Sequence, residues 1–224
     1  MRPQVHVTED PAGAAVERLR AASGNVVLTG GSTPKAAYER VAAERTNWSG
    51  TSIWFTDERC VAPDHEHSNY RMTKESLLDR IDGAEVHRMQ GELGPGEGAA
   101  AYESELHDAF GDELPVFDLV LLGLGPDAHT CSLFPGEEAL GERERWAVGV
   151  ETPGMAPLVS RITLTLPVVN AARTLLFLVT GEDKAEAVAR AFGGPPDPRA
   201  PGSLVEPVSG TLELICDEKA ASRL

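Results

Sequence analysis

One histidine stands out for what surrounds it. The run from Asp118 through Leu122 is apolar after its first residue and leads into Gly123-Leu124-Gly125-Pro126, then Asp127-Ala128-His129. A strand followed by a glycine-rich turn therefore delivers a carboxylate and an imidazole two residues apart. A carboxylate beside an imidazole can hold its orientation and stabilise its charged form, as a general base requires. The alternative is a structural turn carrying an exposed histidine. Gly123 to Ala128 also spells G-x-G-x-x-A, but Pro135 arrives too soon for the long helix a dinucleotide fingerprint must open. Asp-x-His would also lie where the pyrophosphate belongs.

Three other segments place reactive or cationic groups just after apolar runs. Leu28-Thr29-Gly30-Gly31-Ser32-Thr33-Pro34 joins a strand end to two glycines, two hydroxyls and a proline suited to the first helical turn. Glycines let backbone approach a ligand, and a helix N-terminus offers N–H groups to an anion, so Gly30, Gly31, Ser32 and Thr33 form a candidate phosphate cradle. An ordinary strand–helix turn uses the same residues. It is not a Walker A loop, which needs G-x-x-x-x-G-K-[ST]. Asp57-Glu58-Arg59 follows Trp54-Phe55-Thr56, and Arg59 can bind phosphate in bidentate fashion; a solvated loop with a surface ion pair is the plainer reading. Lys184 in Gly181-Glu182-Asp183-Lys184 stands at a helix start, against the macrodipole preference for acids. His65 and His67 read as a solvated pair, since neighbouring loop positions without supporting groups are weak metal ligands. No G-x-S-x-G elbow is present, which argues against a serine hydrolase.

Short β-rich runs alternating with helical patterns must position these groups. Strands are expected at Gln4–Thr8, Asn25–Thr29, Ser52–Phe55, Glu85–His87, Phe117–Leu122, Trp146–Val150, Arg161–Leu166, Arg173–Val179 and Thr211–Cys216. Helical periodicity joins Ala12, Ala15, Val16 and Leu19 after Asp10-Pro11; Tyr70, Thr73, Leu77 and Ile81, with Asn69 as N-cap; and Ala99, Tyr102, Leu106 and Phe110. A fourth helix holds Ala185, Val188, Ala189 and Phe192, with Asp183 and Glu186 spaced for a capping box. Val26-Val27-Leu28 and Leu119 to Leu122 are apolar without alternation, as strands covered on both faces are. That predicts a mainly parallel sheet with helices on each side, and ligands outside the strands' C-terminal ends. The Gly- and Pro-rich segment 193–202 reads as a surface loop.

The 224 residues suit a single α/β domain, 1–224. Thirty-five acidic against 20 basic residues give a net charge of −15, a surface that repels nucleic acid and anionic lipid. Any positive field for an anionic ligand must then be local. No run approaches a membrane span, the first residues lack a secretory pattern, and a cytoplasmic location is expected. Cys60, Cys131 and Cys216, an odd count at wide spacing, suggest neither disulfides nor zinc.

In order and spacing, Gly-Gly-Ser-Thr-Pro, Asp-Glu-Arg with Ser68-Asn69, Gly-x-Gly-x-Asp-x-His-Thr-x-Ser-Leu-Phe-Pro, Arg161-Ile162-Thr163-Leu164-Thr165 and Gly-x-x-Lys resemble the glucosamine-6-phosphate isomerase/6-phosphogluconolactonase family, in its lactonase branch. The resemblance runs from Thr29 to at least Lys184. It implies a modified Rossmann-like three-layer α/β sandwich, shared with glucosamine-6-phosphate deaminases, ribose-5-phosphate isomerases and CoA-transferases. It also implies hydrolysis of 6-phospho-D-glucono-1,5-lactone in the oxidative pentose phosphate pathway, without metal or organic cofactor, by a monomer or weak homo-oligomer. On that resemblance His129 is the base and Asp127 its neighbour. Arg59 and Lys184 hold the phosphate, and Asp57, Glu58, Asn69 and Arg161 complete the substrate site with the Gly30–Thr33 turn.

Two positions depart from the family. Ala128 replaces its usual glycine, and Ser160 stands where proline is common. If residue 128 needs φ > 0, alanine there costs about 1 kcal/mol or more. A deaminase is the nearest rival, but its segment resembles Asp-Gly-His-Ile-Ala-Phe-Asn-Glu-Pro, whereas Thr130-Cys131-Ser132-Leu133-Phe134-Pro135 follows His129 here. A sugar-phosphate sensor would need a DNA-binding segment, for which the strand-first, acidic sequence leaves no place.

Overall fold

Residues from both ends of the chain meet in one sheet. The computed structural model describes residues 2–224. Its seven parallel strands run in the order β1 (Gln4–Val7), β10 (Thr211–Cys216), β9 (Thr174–Val179), β6 (Leu119–Leu122), β2 (Gly24–Leu28), β3 (Thr51–Phe55) and β5 (Glu85–Val86). The apolar runs are continuous because successive residues enter opposite cores. Val26, Leu28, Leu119, Leu121, Leu176 and Leu178 pack with α1 (Pro11–Ala21) and α2 (Ser32–Glu44). Val27, Val120, Leu122, Leu175 and Phe177 pack on the other face with α4 (Gly94–Phe110), α5 (Leu166–Asn170) and α6 (Ala185–Phe192). This is the three-layer α/β sandwich expected of a buried parallel sheet.

Past β2 the chain first builds outward through β3 and β5, then returns to the other side of β2 with β6, β9 and β10. The gap between β2 and β6 is thus a topological switch point, where two diverging loops open a crevice at the strands' C-terminal ends.

Beside the main sheet lies a three-stranded antiparallel one, ordered β4 (Asp57–Arg59), β8 (Arg161–Leu164), β7 (Ala147–Val150). The Asp57–Arg59 segment is therefore a short strand and not a solvated loop, and Asp57 and Glu58 are buried. Its three charged residues hid the β pattern.

The remaining differences concern helix ends and short elements. The N-cap of α3 (Asn69–Ser76) is Ser68, whose side chain accepts from Arg71 N–H, and Asn69 is the first helical residue. The Asp183–Glu186 capping box does not form: residues Glu182–Lys184 make a 3₁₀ turn and Lys184 occupies the N-cap of α6. The strand expected over Arg161–Leu166 ends at Leu164, and Leu166 opens the five-residue α5, which is too short to show periodicity. Asp10 does cap α1, accepting from Gly13 N–H at 3.2 Å. Finally, the 193–202 segment is not purely superficial, since Ala200, Pro201 and Gly202 are buried.

Candidate active site

Four strand ends meet at the switch point, and two buried tyrosines brace a pair of them. Tyr38 on α2 takes the N–H of Thr29 at 3.0 Å and donates to its carbonyl at 2.9 Å, fixing the backbone just before Gly30-Gly31. Tyr102 on α4 does the same for Phe55, accepting from N–H at 3.0 Å and donating to C=O at 3.3 Å. Burial pushes both phenols up, so they remain neutral donors. Gly31 has φ 117°, a conformation that an L side chain would strain. A Cβ on Gly30 would fall 2.1 Å from Asn69 Oδ1, so the glycine admits Asn69 to the crevice wall.

The turn after β6 presents His129. Gly125 N–H donates to His129 C=O at 2.8 Å, and Ala128 N–H to Gly125 C=O at 2.9 Å. Thr130 Oγ1 donates to Gly123 C=O at 2.9 Å. Gly125 must be glycine, because a Cβ would lie 2.0 Å from His129 Nδ1. Ala128 adopts φ 69° and Cys131 φ 53°, so two non-glycine residues in the left-handed region bracket the histidine. Ala128 does have φ > 0, so its alanine bears the strain expected there.

His129 Nδ1 lies 2.5 Å from Asp127 Oδ1, which also accepts the His129 backbone N–H at 3.1 Å. The ring packs on Phe134 with centroids 4.3 Å apart. Partial burial pushes Asp127 up, but the His129 ring, its charge and its backbone N–H outweigh this and hold the carboxyl below its ordinary value. An ionised Asp127 accepts Nδ1–H and thereby selects the tautomer with a bare Nε2.

Opposed strands bring two arginines together. Arg59 on β4 pairs in register with Arg161 on β8. Arg59 Nη1 donates to His67 C=O at 2.7 Å. Arg161 is 4% exposed and donates through Nη2 to Met155 C=O at 3.3 Å and Pro157 C=O at 3.1 Å. The Nε–H of each is buried and has no acceptor among the described residues. Burial pushes Arg161 down, as does the Arg59 charge, while Asp57 and Glu58 oppose them. Neighbouring like charges with spare donors are an environment that an anion stabilises. Lys184, half-buried, is likewise pushed down by burial against the pull of Asp183 and Asp127.

Behind them lies a buried acid layer. Asp57 accepts Ser132 Oγ–H at 2.7 Å and Thr56 Oγ1–H at 2.8 Å. Glu58 collects four donors: the backbone N–H groups of Arg59, Asn69 and Tyr70, and Ser68 Oγ–H, all at 2.7 to 2.9 Å. Burial pushes Glu58 up, and the donors pull it back.

A crevice of about 220 Å³ gathers Gly30, Gly31, Asp57, Arg59, Asn69, His129, Arg161 and Lys184 into one lining. Ser32, Thr33 and Glu58, expected among the ligand contacts, are not in it. Ser32 is exposed, and Thr33 Oγ1 hydrogen-bonds Thr180 Oγ1 at 2.7 Å, tying α2 to the end of β9. Glu58 instead anchors the start of α3. Asp127 stands behind His129. The lining also includes Thr29, Thr130, Cys131 and Met155, none of them among the expected site residues. Met155 arrives on the 151–160 segment that Arg161 grips, a tertiary arrangement without a sequence signature. His65 and His67, with rings 5.1 Å apart, lie outside the lining, and His65 Nδ1 accepts the His67 N–H. No group of three metal-ligating side chains occurs among the described residues, and none of their helices is long and apolar enough to cross a membrane.

Fold and crevice together define a modified Rossmann-like α/β enzyme whose histidine shares one cleft with two arginines and a lysine. The chain belongs to the family described as glucosamine-6-phosphate isomerases/6-phosphogluconolactonase, whose model matches residues 6–214. A 6-phosphogluconolactonase of Homo sapiens is 42% identical over 195 residues, spanning 85% of this chain and 74% of that protein. The solved 6-phosphogluconolactonase of Trypanosoma brucei superposes with a TM-score of 0.87 at 26% identity, covering 100% of this chain and 99% of that one. A monomeric glucosamine-6-phosphate deaminase of the NagB superfamily superposes with a TM-score of 0.84 at 20% identity, covering 100% of each chain, a likeness of fold alone.

Proposed function

We propose that this chain hydrolyses 6-phospho-D-glucono-1,5-lactone to 6-phospho-D-gluconate, the reaction for which its lactonase relatives are named. His129 is the general base. Its Nδ1 is occupied by Asp127, which leaves Nε2 to take a proton from water as the water oxygen attacks C1. The C1–ring-oxygen bond of the tetrahedral intermediate then breaks, and the imidazolium returns its proton to the departing oxygen. Arg59, Arg161 and Lys184 hold the phosphate, with Gly30, Gly31 and Asn69 lining the cleft beside it. Binding energy spent on the phosphate places C1 near the base. Neither metal nor organic cofactor enters these steps.

The observation that carries this reading is one cleft holding both a carboxylate-oriented imidazole and two arginines whose buried Nε–H groups are unpartnered among the described residues. The test is direct hydrolysis of freshly made lactone, corrected for spontaneous opening, beside an assay for ammonia release from glucosamine 6-phosphate. Lactone turnover without ammonia is expected. Ammonia release would assign the chain to the deaminase side of its family, and tight ligand binding without turnover would make it a sensor.

A further inference from the structure

The Gly- and Pro-rich segment after α6 has a place in the molecule that its composition does not suggest. It is internally braced: Ala200 N–H donates to Asp197 C=O at 2.8 Å, Asp197 N–H to Ser203 Oγ at 2.8 Å, and Arg199 pairs with Asp197 at 2.9 Å. Its buried apex touches the turn that carries His129. Gly202 N–H donates to Ala128 C=O at 2.8 Å. Arg190, on α6, spans the two parts, donating through Nη1 to Asp127 C=O at 3.4 Å and through Nη2 to Arg199 C=O. The turn carbonyls that accept from Arg190 and Gly202 belong to Asp127 and to Ala128, the residue at φ 69°.

We propose that Arg190 and Gly202 are positioning residues: they clamp the turn at Asp127 and Ala128 so that Ala128 keeps its left-handed form, which alanine would not hold unaided, and so keep the His129 ring on Asp127. The proposal rests on the assignment of His129 as base. Glycine occupies the left-handed region at little cost, whereas alanine resists it. A turn with alanine at this position therefore needs outside support that a glycine turn does not. The clamp's importance should then depend on which residue stands at 128.

The experiment is a double-mutant cycle. In the parent chain Arg190→Met, which keeps most of the apolar stem and removes both hydrogen bonds, should lower kcat about fivefold, the equivalent of the left-handed cost of one alanine, while KM moves less than about twofold. In an Ala128→Gly background the same substitution should cost less than about twofold. Gly202→Ala is the second probe. Its Cβ would lie 2.6 Å from Leu124 Cδ1 and 3.3 Å from Ala128 O and would push the segment off the turn, so a kcat loss is expected that is smaller in the Ala128→Gly background. Ring ¹⁵N spectra of His129 supply a readout apart from turnover: Arg190→Met should mix the Nδ1–H tautomer with its alternative in the parent and not in the Ala128→Gly background. Equal losses in both backgrounds, a rise in KM matching the fall in kcat, or unchanged ring spectra would each overturn the clamp. Absence of lactone hydrolysis by the unmodified chain would instead overturn the function, and the ring spectra would still decide the clamp.

Discussion

Replacing His129 by asparagine separates the two nitrogens of its ring. The asparagine amide can reach the region of Nδ1 and still donate to Asp127, but no atom replaces Nε2. If Nε2 is the base, kcat falls by about 10²- to 10⁴-fold, a barrier increase of about 3–5 kcal/mol. The structural cost is smaller. The Phe134 ring contact at 4.3 Å is lost, worth about 0.5–1.5 kcal/mol beyond area. Asp127 is part-exposed, its side chain 31% accessible, so a weakened pairing costs it little. At about 2–4 °C per kcal/mol for a chain of this size, the melting temperature drops only a few degrees. The protein therefore stays folded at 25 °C, and a lost rate reports chemistry. The assay is steady-state lactone hydrolysis corrected for spontaneous opening, with the inhibition constant of 6-phosphogluconate as the measure of ground-state binding. A fall in kcat of less than about tenfold, or an inhibition constant that worsens as much as kcat, would refute the assignment.

Arg161→Met should raise KM by about 10- to 100-fold through lost charge-assisted bonds, and unchanged KM would remove the buried arginine from the phosphate site. Because burial pushes Lys184 down, its charge is lost at lower pH than that of an ordinary lysine near 10.4. Calorimetric affinity for 6-phosphogluconate should accordingly weaken as pH climbs toward the ordinary lysine range, and Lys184→Arg should flatten the curve; a flat curve for the parent would contradict this. Glu58→Gln turns an amide N–H₂ toward backbone N–H groups that can only donate, so about 2–3 kcal/mol of stability and several degrees of melting temperature should be lost. A melting point within a degree of the parent would show that Glu58 does not organise the start of α3.

Much of this was legible before folding was considered. Fully apolar runs such as Leu119 to Leu122 announced strands covered on both sides, since period-2 alternation disappears when both faces are buried. Asp10-Pro11 marked a helix start because a carboxylate cap followed by proline satisfies local backbone demands alone. Signals of that kind fail where partners are distant. Asp57, Glu58 and Arg59 looked like surface charge, and they became a strand because β8 supplies the hydrogen bonds while Ser132, Ser68 and the α3 backbone satisfy the acids. Asn69 and Asp183 looked like caps, but Ser68 took the first role and a 3₁₀ turn displaced the second.

By itself, then, the sequence determined the layered parallel sheet, the strand-end location of the cleft and the pairing of Asp127 with His129, because each depends on residue type and short spacing. Tertiary structure alone decided that Arg161 lies across from Arg59, that Met155 reaches the cleft, that Ser32 and Thr33 lie outside its lining, and that a proline-rich segment braces the Ala128 turn. Those outcomes depend on which buried donors find acceptors across tens of residues, a competition that no local pattern encodes.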